Sequence, residues 1–486
     1  MLAVCIQGTK TMSEVLKPDI CVIGAGSGGL SVAAAAAAFG VSVVLIEKGK
    51  MGGDCLNYGC VPSKAMIAAG KTAQTFRTAA KFGVSNHEPE IAFDKVHDHV
   101  HGVIAAIAPN DSVERFSGLG VKVISEKGRF ADAKTVVAGK YEIKARRFVV
   151  ATGSSAFVPP IPGLENINYW TNETLFDNKE APEHLIVIGG GPIGMEMAQA
   201  HRRLGAKVTV IEMQKALGKD DPELTEVALA EIRKEGVDIR EGTKVVRVEP
   251  GQGSGVDIVT EVGGVEEIIS GSHLLIAAGR APNVKGLDLE KAKIEFSRTG
   301  IRVNKKLRTT NKRVYAIGDV AGGLQFTHVA GYHAGLVIRS ILFRMGAKEN
   351  RIILPWVTFT DPEVAHVGVD EETAHRNKLK IRILRWPYVE NDRAQAERKT
   401  VGLIKVITDT KGKILGASIV GNNAGEMINM WALAISQDMK IGAMTGYVPP
   451  YPTYSEIGKR AATEFFKPKL ANPMLKRVLA FLRFFG

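Results

Sequence analysis

The chain has 486 residues, 45% of them hydrophobic, with four cysteines and a formal net charge of +12. That length exceeds what one hydrophobic core supports and predicts about two to four domains. Cysteines this sparse exclude an extracellular disulfide framework and point to a reducing compartment, where a thiol pair is kept for reactivity. No run approaches the roughly 18 apolar residues of a spanning helix, and basic residues scattered among acidic ones, without aromatic interleaving, argue against nucleic acid as a partner.

The opening MLAVCIQGTKTM lacks the apolar run and cleavage pattern of a signal peptide, so a cytoplasmic location is expected. Met12 opens a shorter reading frame, and residues 1–11 are expected to have no structural role. The stretch DICVIGAGSGGLSVAAAAAAFGVSVVLIEKG then reads as a buried strand, a glycine turn, an alanine-rich helix and a second buried strand ending in Glu47. Gly24, Gly26 and Gly29 let the chain turn tightly, bring backbone N–H groups against a pyrophosphate and pack helix on sheet, while Glu47 is placed to accept from a ribose hydroxyl. The glycines alone are weak evidence; strand, helix, strand and acid in register make the signal specific. Cys21, inside the first strand, reads as a small core residue.

Next comes GGDCLNYGCVPSK, residues 52–64. Cys55 and Cys60 can bridge only if their Cα atoms lie within about 7 Å, which a helical start or tight loop provides. Lys64 falls four residues after Cys60, so on a helix it shares a face with that sulfur and favours a thiolate there. A metal site lacks its other ligands, and a polar, glycine-rich setting disfavours inert core thiols, so the pair is read as a redox couple. HDHVH places His97 and His101 on one helix face with His99 between, and is read as solvated helix surface; no metal site is expected.

RRFVVATGSS is an apolar strand ending near Gly153, followed by the linker Pro159–Gly163. HLIVIGGGPIGMEMAQAHRRLGAKVTVIEMQ then repeats the first unit with Gly189, Gly191, Gly194 and Glu212, and its middle glycine stands 21 residues before its acid in both copies. A carboxylate at Glu212 suits the free ribose hydroxyls of NAD and repels the 2′-phosphate of NADP, so NADH is the predicted donor, with Lys215 the nearby cation able to accommodate a phosphate. HLLIAAGRAPN ends at Gly279, and VYAIGDVAGG delivers Gly318 and Asp319 to a loop. After the polar KENR linker, and from about Leu354, several strands and the helical EMINMWALAISQDM predict an α+β domain without a phosphate loop.

Together, GGDCLNYGCVPSK, the paired glycine turns, the ATGS and AAGRAPN strand ends and the AIGDV loop resemble the class I pyridine nucleotide-disulfide oxidoreductases. This family includes dihydrolipoamide dehydrogenases, glutathione reductases and mercuric reductases, and the resemblance runs from about residue 18 to 465. It implies FAD in the first nucleotide unit, NAD in the second and a homodimer built by the C-terminal domain. It further implies Cys60 beside the flavin, Cys55 attacking the outside substrate, and Lys64 near flavin N5, paired with Glu196 of GPIGMEMA. Asp319 would bind the ribitol chain, and Gly128, Thr152, Gly153 and Ser154 would line the FAD site.

One departure bears on the acceptor. Members that act on thiols carry a histidine and a glutamate in an HPTxxE pattern as an acid-base pair; here YPTYSE keeps Glu456 but has Tyr451 in place of the histidine. A phenol with a pKa of about 10 is a poor base at neutral pH beside an imidazole of about 6.5. Tyr451 and QFTHVA resemble the mercuric reductase branch, yet the chain ends in FLRFFG without the vicinal cysteines of that branch. His328 and His333 are candidates for the missing proton donor.

The tail KPKLANPMLKRVLAFLRFFG lies beyond the family's usual end. On a helix Leu475, Val478, Leu479, Leu482 and Phe485 share a face, with Lys476 and Arg483 roughly opposite. Such a segment suits an anionic membrane, the dimer or a partner, and peripheral membrane contact through residues 467–486 is one expectation.

The reading is an α/β chain with two Rossmann-like dinucleotide-binding domains and a C-terminal α+β dimerisation domain. Residues 13–158 are the first part of the FAD-binding domain with the redox pair, 159–282 the NAD-binding domain, 283–350 the second FAD-binding part, 351–466 the interface domain and 467–486 the tail. The expected activity passes electrons from NADH through FAD and the Cys55–Cys60 couple to an unidentified small-molecule acceptor, disulfide or mercuric-reductase-like. A diaphorase reducing quinone or oxygen, and a flavin-based redox sensor partnering a membrane complex, are the alternatives.

Overall fold

The computed structural model describes residues 14–486; the expectation for residues 1–11 lies outside them. Ile20–Ile23 (β1), Ser27–Ala38 (α1) and Val43–Ile46 (β2) make the first glycine-turn unit. Gly53–Asn57 (α2) and Cys60–Thr78 (α3) hold the cysteines, and Lys122–Ile124 (β3) and Arg147–Val150 (β4) follow. The second unit is His184–Ile188 (β5), Pro192–Arg203 (α4), Lys207–Ile211 (β6), Val237–Arg240 (β7) and His273–Ile276 (β8). Val314–Ala316 (β9) and Thr327–Leu342 (α5) then return to the first unit.

The two sheets are parallel and built alike, in the orders β9-β4-β1-β2-β3 and β7-β6-β5-β8. In each, the strand that enters the glycine turn is flanked by its successor and by a later strand, so a crevice opens beyond its carboxyl end. All four residues of β1 are buried, as a strand covered on both faces requires. Ile20 and Val22 pack with Leu30 of α1 and Val337 of α5 on one side. Cys21 and Ile23 pack with Phe130 and Val136 on the other. Each such aliphatic side chain contributes about 1.5–3 kcal/mol. Burial pushes the Cys21 thiol well above its ordinary range, so it is an inert core group.

The glycine turns are identical in their sterics. A Cβ on Gly29 would stand 1.8 Å from the Gly24 carbonyl oxygen, and one on Gly194 would stand 1.9 Å from that of Gly189. Helix and strand approach so closely in both copies that only hydrogen fits.

Trp356–Thr358 (β10), Glu363–Gly368 (β11), Ile381–Pro387 (β12), Leu403–Asp409 (β13) and Ile414–Gly421 (β14) form an antiparallel sheet in the order β10-β11-β14-β13-β12. Ala424–Ser436 (α6) and Glu456–Glu464 (α7) bury Trp431 and Ile457 in its core. Buried Lys405 of this sheet meets Asp221, Glu223 and Glu371 at 2.6, 2.9 and 2.5 Å. Arg203 of α4 meets Glu235 and Asp361 at 2.5 and 3.0 Å. These clusters fix the sheet against the second nucleotide unit, because a buried charge stripped of its partners costs several kcal/mol. Pro473–Leu482 (α8) follows, and every residue from 467 to 486 is exposed.

Candidate active site

The glycine pair ahead of the cysteines answers to a close approach of backbones. Gly26 and Gly52 pair as a parallel bridge, and a Cβ on Gly53 would lie 2.7 Å from the Cα of Gly26. The thiol segment is thus laid directly on the first phosphate turn. Cys55 sits in α2 and Cys60 opens α3, so the short connection between the helices turns both sulfurs toward one cavity of about 1280 Å³.

The sulfurs differ in character. Cys60 lies 3.3 Å from Thr327 Oγ1; the neighbouring Cys55 thiol lowers its pKa most, and with Thr327 and the Lys64 ammonium outweighs burial to bring it down to about 6. Cys55, beside that sulfur and the carboxylate of Asp54, is pushed up. In the reduced protein, ultraviolet thiolate absorbance from Cys60 is expected to persist at neutral pH and to be lost as the pH falls through about 6. Cys55→Ala, which removes the neighbouring thiol, is expected to move that titration upward. A parent titration centred in the ordinary thiol range of about 8.5 would show that the thiolate is not held.

Lys64, one turn further along α3, pairs with Glu196 of α4 at 2.6 Å. The other Glu196 oxygen accepts from the Phe359 N–H at 2.9 Å, and Lys64 Nζ lies 4.5 Å from the centre of the Phe359 ring. Both nucleotide units and the C-terminal sheet therefore meet at this pair. Gly26, Gly153, Ser154, Gly279 and Asp319 also border the cavity. Ser154 donates to Asp319 at 2.6 Å, and burial raises the Asp319 pKa.

Four bordering residues, Asp54, Asn172, Arg280 and Thr327, have no role in the sequence reading. Arg280 donates to Ser154 Oγ at 2.7 Å and to Asp54 at 3.0 Å. Asp54 also accepts from Asn172 at 3.0 Å, and Thr327 touches Cys60. Arg280 and Thr327 fall inside AAGRAPN and QFTHVA, but their contacts cross more than a hundred residues of chain and leave no local signal.

The acids close their own turns. Glu47 accepts from the Ala25 and Gly49 N–H groups at 2.6 and 2.7 Å, and Glu212 from Gly190 and Gln214, both at 2.8 Å. Gly128 lies behind Ile46 and Ile23, and Thr152 exchanges hydrogen bonds with Asn283, so neither is on the cavity wall. Tyr451 and Glu456 are absent from it too: Tyr451 is 71% exposed and donates to Asp392 at 2.9 Å, and Glu456 starts α7. Within one chain the expected acid-base pair is not brought to the sulfurs. His328 borders the cavity but donates to the Pro355 carbonyl at 2.7 Å. Buried His333 accepts from the Gly318 N–H at 3.2 Å and donates to Glu349 at 3.0 Å, which leaves it no free nitrogen. His101 donates to the Phe176 carbonyl at 3.0 Å, and among the described residues no group of three His, Cys, Asp or Glu side chains is placed to hold a metal ion.

The walls fit a dinucleotide. Helices α1 and α4 start at Gly26 and Gly191 without a side-chain cap, which leaves their N–H groups for phosphate. A Cβ on Gly153, Gly191 or Gly279 would meet nothing within 4 Å, so these backbones are open to a ligand.

Residues 18–334 match the model of the pyridine nucleotide-disulphide oxidoreductase family, and residues 354–462 match its dimerisation domain. The chain belongs to this family. A mercuric reductase of Bacillus cereus is 34% identical over 452 residues, 92% of this chain and 72% of that protein. A dihydrolipoyl dehydrogenase of Thermus scotoductus is 33% identical over 459 residues, 92% of this chain and 97% of that protein. The Cu(II) complex of HOCl-induced flavoprotein disulfide reductase RclA from Escherichia coli superposes with a TM-score of 0.81 at 27% identity, covering 91% of this chain and 98% of that one. As a pyridine nucleotide-disulphide oxidoreductase the chain is a flavoprotein enzyme, FAD and NAD(H) are its expected cofactors, and the dimerisation domain makes it a homodimer.

Proposed function

We propose that this chain is an NADH-driven flavoprotein reductase whose Cys55–Cys60 couple delivers electrons to a thiophilic metal ion. The observation that carries this reading is that Cys55 and Cys60 share one wall of the dinucleotide cavity with the Lys64–Glu196 pair, Cys60 lying 3.3 Å from Thr327 Oγ1. Gly24, Gly26, Gly29 and Glu47 would hold FAD with Asp319 and Ser154; Gly189, Gly191, Gly194 and Glu212 would hold NAD beside Gly279. FAD, when bound, takes a hydride from the nicotinamide and passes an electron pair to the disulfide.

Lys64 and Glu196 keep a cation and a carboxylate fixed at the cavity wall, where charge shifts as electrons arrive. Cys60 holds its negative charge beside the Cys55 thiol and Thr327, while Cys55 keeps its proton until an acceptor binds. As the couple discharges, the two sulfurs give up two electrons and form their bond, and the Cys55 proton leaves to solvent. That pair reduces one mercuric ion to the metal or two cupric ions to cuprous. The acceptor class is supported by the mercuric reductases among the relatives and by Tyr451. The bond to Asp392 raises the phenol above its ordinary range, so it stays neutral and is no base for a thiol substrate, whereas a metal ion needs no proton when it is reduced. Tyr451 and Glu456 would serve an acceptor only across the dimer interface.

An acceptor screen tests the reading: mercuric and cupric ions, lipoamide, glutathione disulfide, quinones and oxygen, each with NADH and NADPH. Metal ions are expected to turn over fastest with NADH. Faster lipoamide or glutathione disulfide turnover would overturn the acceptor, and quinone turnover undiminished in Cys55→Ser would favour the diaphorase. Glu212→Ala is expected to narrow the NADH over NADPH ratio of kcat/KM by about tenfold, because the carboxylate that accepts the ribose hydroxyls and repels the 2′-phosphate is gone. An unchanged ratio would move cofactor choice to other residues, such as the exposed Lys215.

A further inference from the structure

From Phe465 to Gly486 the chain carries Lys467, Lys469, Lys476, Arg477 and Arg483 and no acidic residue. The helix here is specified locally: the Asn472 side chain accepts the Met474 N–H at 2.9 Å, and Pro473 takes the first helical position. Yet a helix of ten residues is marginal alone in water, and stability has to come from an apolar face packed on something. Here that face is bare. Leu475, Val478, Leu479 and Leu482 are 38–54% exposed, and the edge-to-face rings of Phe481 and Phe485, 5.0 Å apart, extend the same strip. At about 100° per residue the large apolar side chains from Met474 to Leu482 fall within an arc of roughly 160°, with Ala480 and the exposed Phe484 outside it. Lys476 lies opposite, and Arg477 and Arg483 lie one on each side of the arc.

We propose that residues 467–486 dock this enzyme on an anionic lipid surface, with α8 lying in the plane of the headgroups. Charge selects this occupant. A second tail would bring five cations against five, and the rest of the chain is itself net positive. A negatively charged bilayer takes the cations at its headgroups and the leucine and phenylalanine strip at its acyl boundary. The helix lies on the bilayer and does not cross it: no helix among the described residues is long and apolar enough to span a membrane. The proposal is independent of the acceptor.

The test is flotation of the full-length holoenzyme with vesicles of phosphatidylglycerol and phosphatidylcholine, or of phosphatidylcholine alone, at low and high salt. Binding is expected only to the anionic vesicles and is expected to weaken with salt. Leu479→Glu, or Lys476→Glu with Arg477→Glu, is expected to lower the partition coefficient at least tenfold, given about fivefold per cationic residue near such a surface. Flavin reduction by NADH and the dimer mass are expected to stay as in the parent, which shows that the variants fold. Parent and variants floating alike, or a parent that ignores anionic vesicles, would overturn the proposal. So would a variant whose oligomeric mass changes, since the strip would then cover a second copy.

Discussion

Cys60→Ser holoenzyme is expected to take up one electron pair per flavin where the parent takes two, and to lose acceptor turnover by on the order of 10³-fold or more. It is also expected to keep rapid reduction of the flavin by NADH, because the serine leaves the nicotinamide side intact. Cys55→Ser is expected to share the loss of turnover but to keep a sulfur at Cys60. With the neighbouring thiol replaced by a hydroxyl and Thr327 and Lys64 still in place, that sulfur remains at least partly ionised near neutral pH. Stopped-flow reduction and steady-state turnover of both variants separate the roles. If the two lose flavin reduction and turnover equally, the sulfurs are structural; if neither loses turnover, electrons bypass them.

Lys64→Met is expected to lower stability by about 2–4 kcal/mol and the rate of flavin reduction by roughly 10²-fold. Glu196 is 5% exposed, and removing the ammonium 2.6 Å away strands a carboxylate inside the protein. The Phe359 N–H continues to solvate one oxygen, and Lys64 is 37% exposed, so the loss stays below that of a fully buried pair. The double variant Lys64→Met with Glu196→Gln is expected to recover more than half of the stability without recovering the rate. Denaturant unfolding around this cycle measures the coupling. Additive losses in stability would mean that the two side chains do not interact.

The glycine turns were legible because their constraint is local. The clash a Cβ on Gly29 would make with Gly24 needs only the strand, turn and helix already present in the order of residues. The cysteine segment carried its own signal in spacing and in Lys64, whereas Lys64 meeting Glu196, 132 residues away, was legible only through the family resemblance. Arg280, Thr327 and Glu349, the partner of His333, were missed as participants, since each acquires its neighbours from a different element of the finished fold. The KENR stretch read as a plain linker, yet it delivers the carboxylate that satisfies buried His333. The sheet of Lys244–Pro250, Val256–Val262 and Val265–Gly271 also went unread. Its last strand is charged and open to solvent, with Val265 71% exposed, which blurs the alternation that marks a strand. Tyr451 could be assigned a departure from the family pattern but not a place, because one chain does not bring it to the sulfurs.

An anaerobic titration of the holoenzyme with NADH or dithionite tests the central claim most directly. The account predicts two electron pairs consumed per FAD, with a long-wavelength charge-transfer absorbance between the Cys60 thiolate and oxidised flavin appearing after the first. Uptake of a single pair, with no such band at any point, would contradict it.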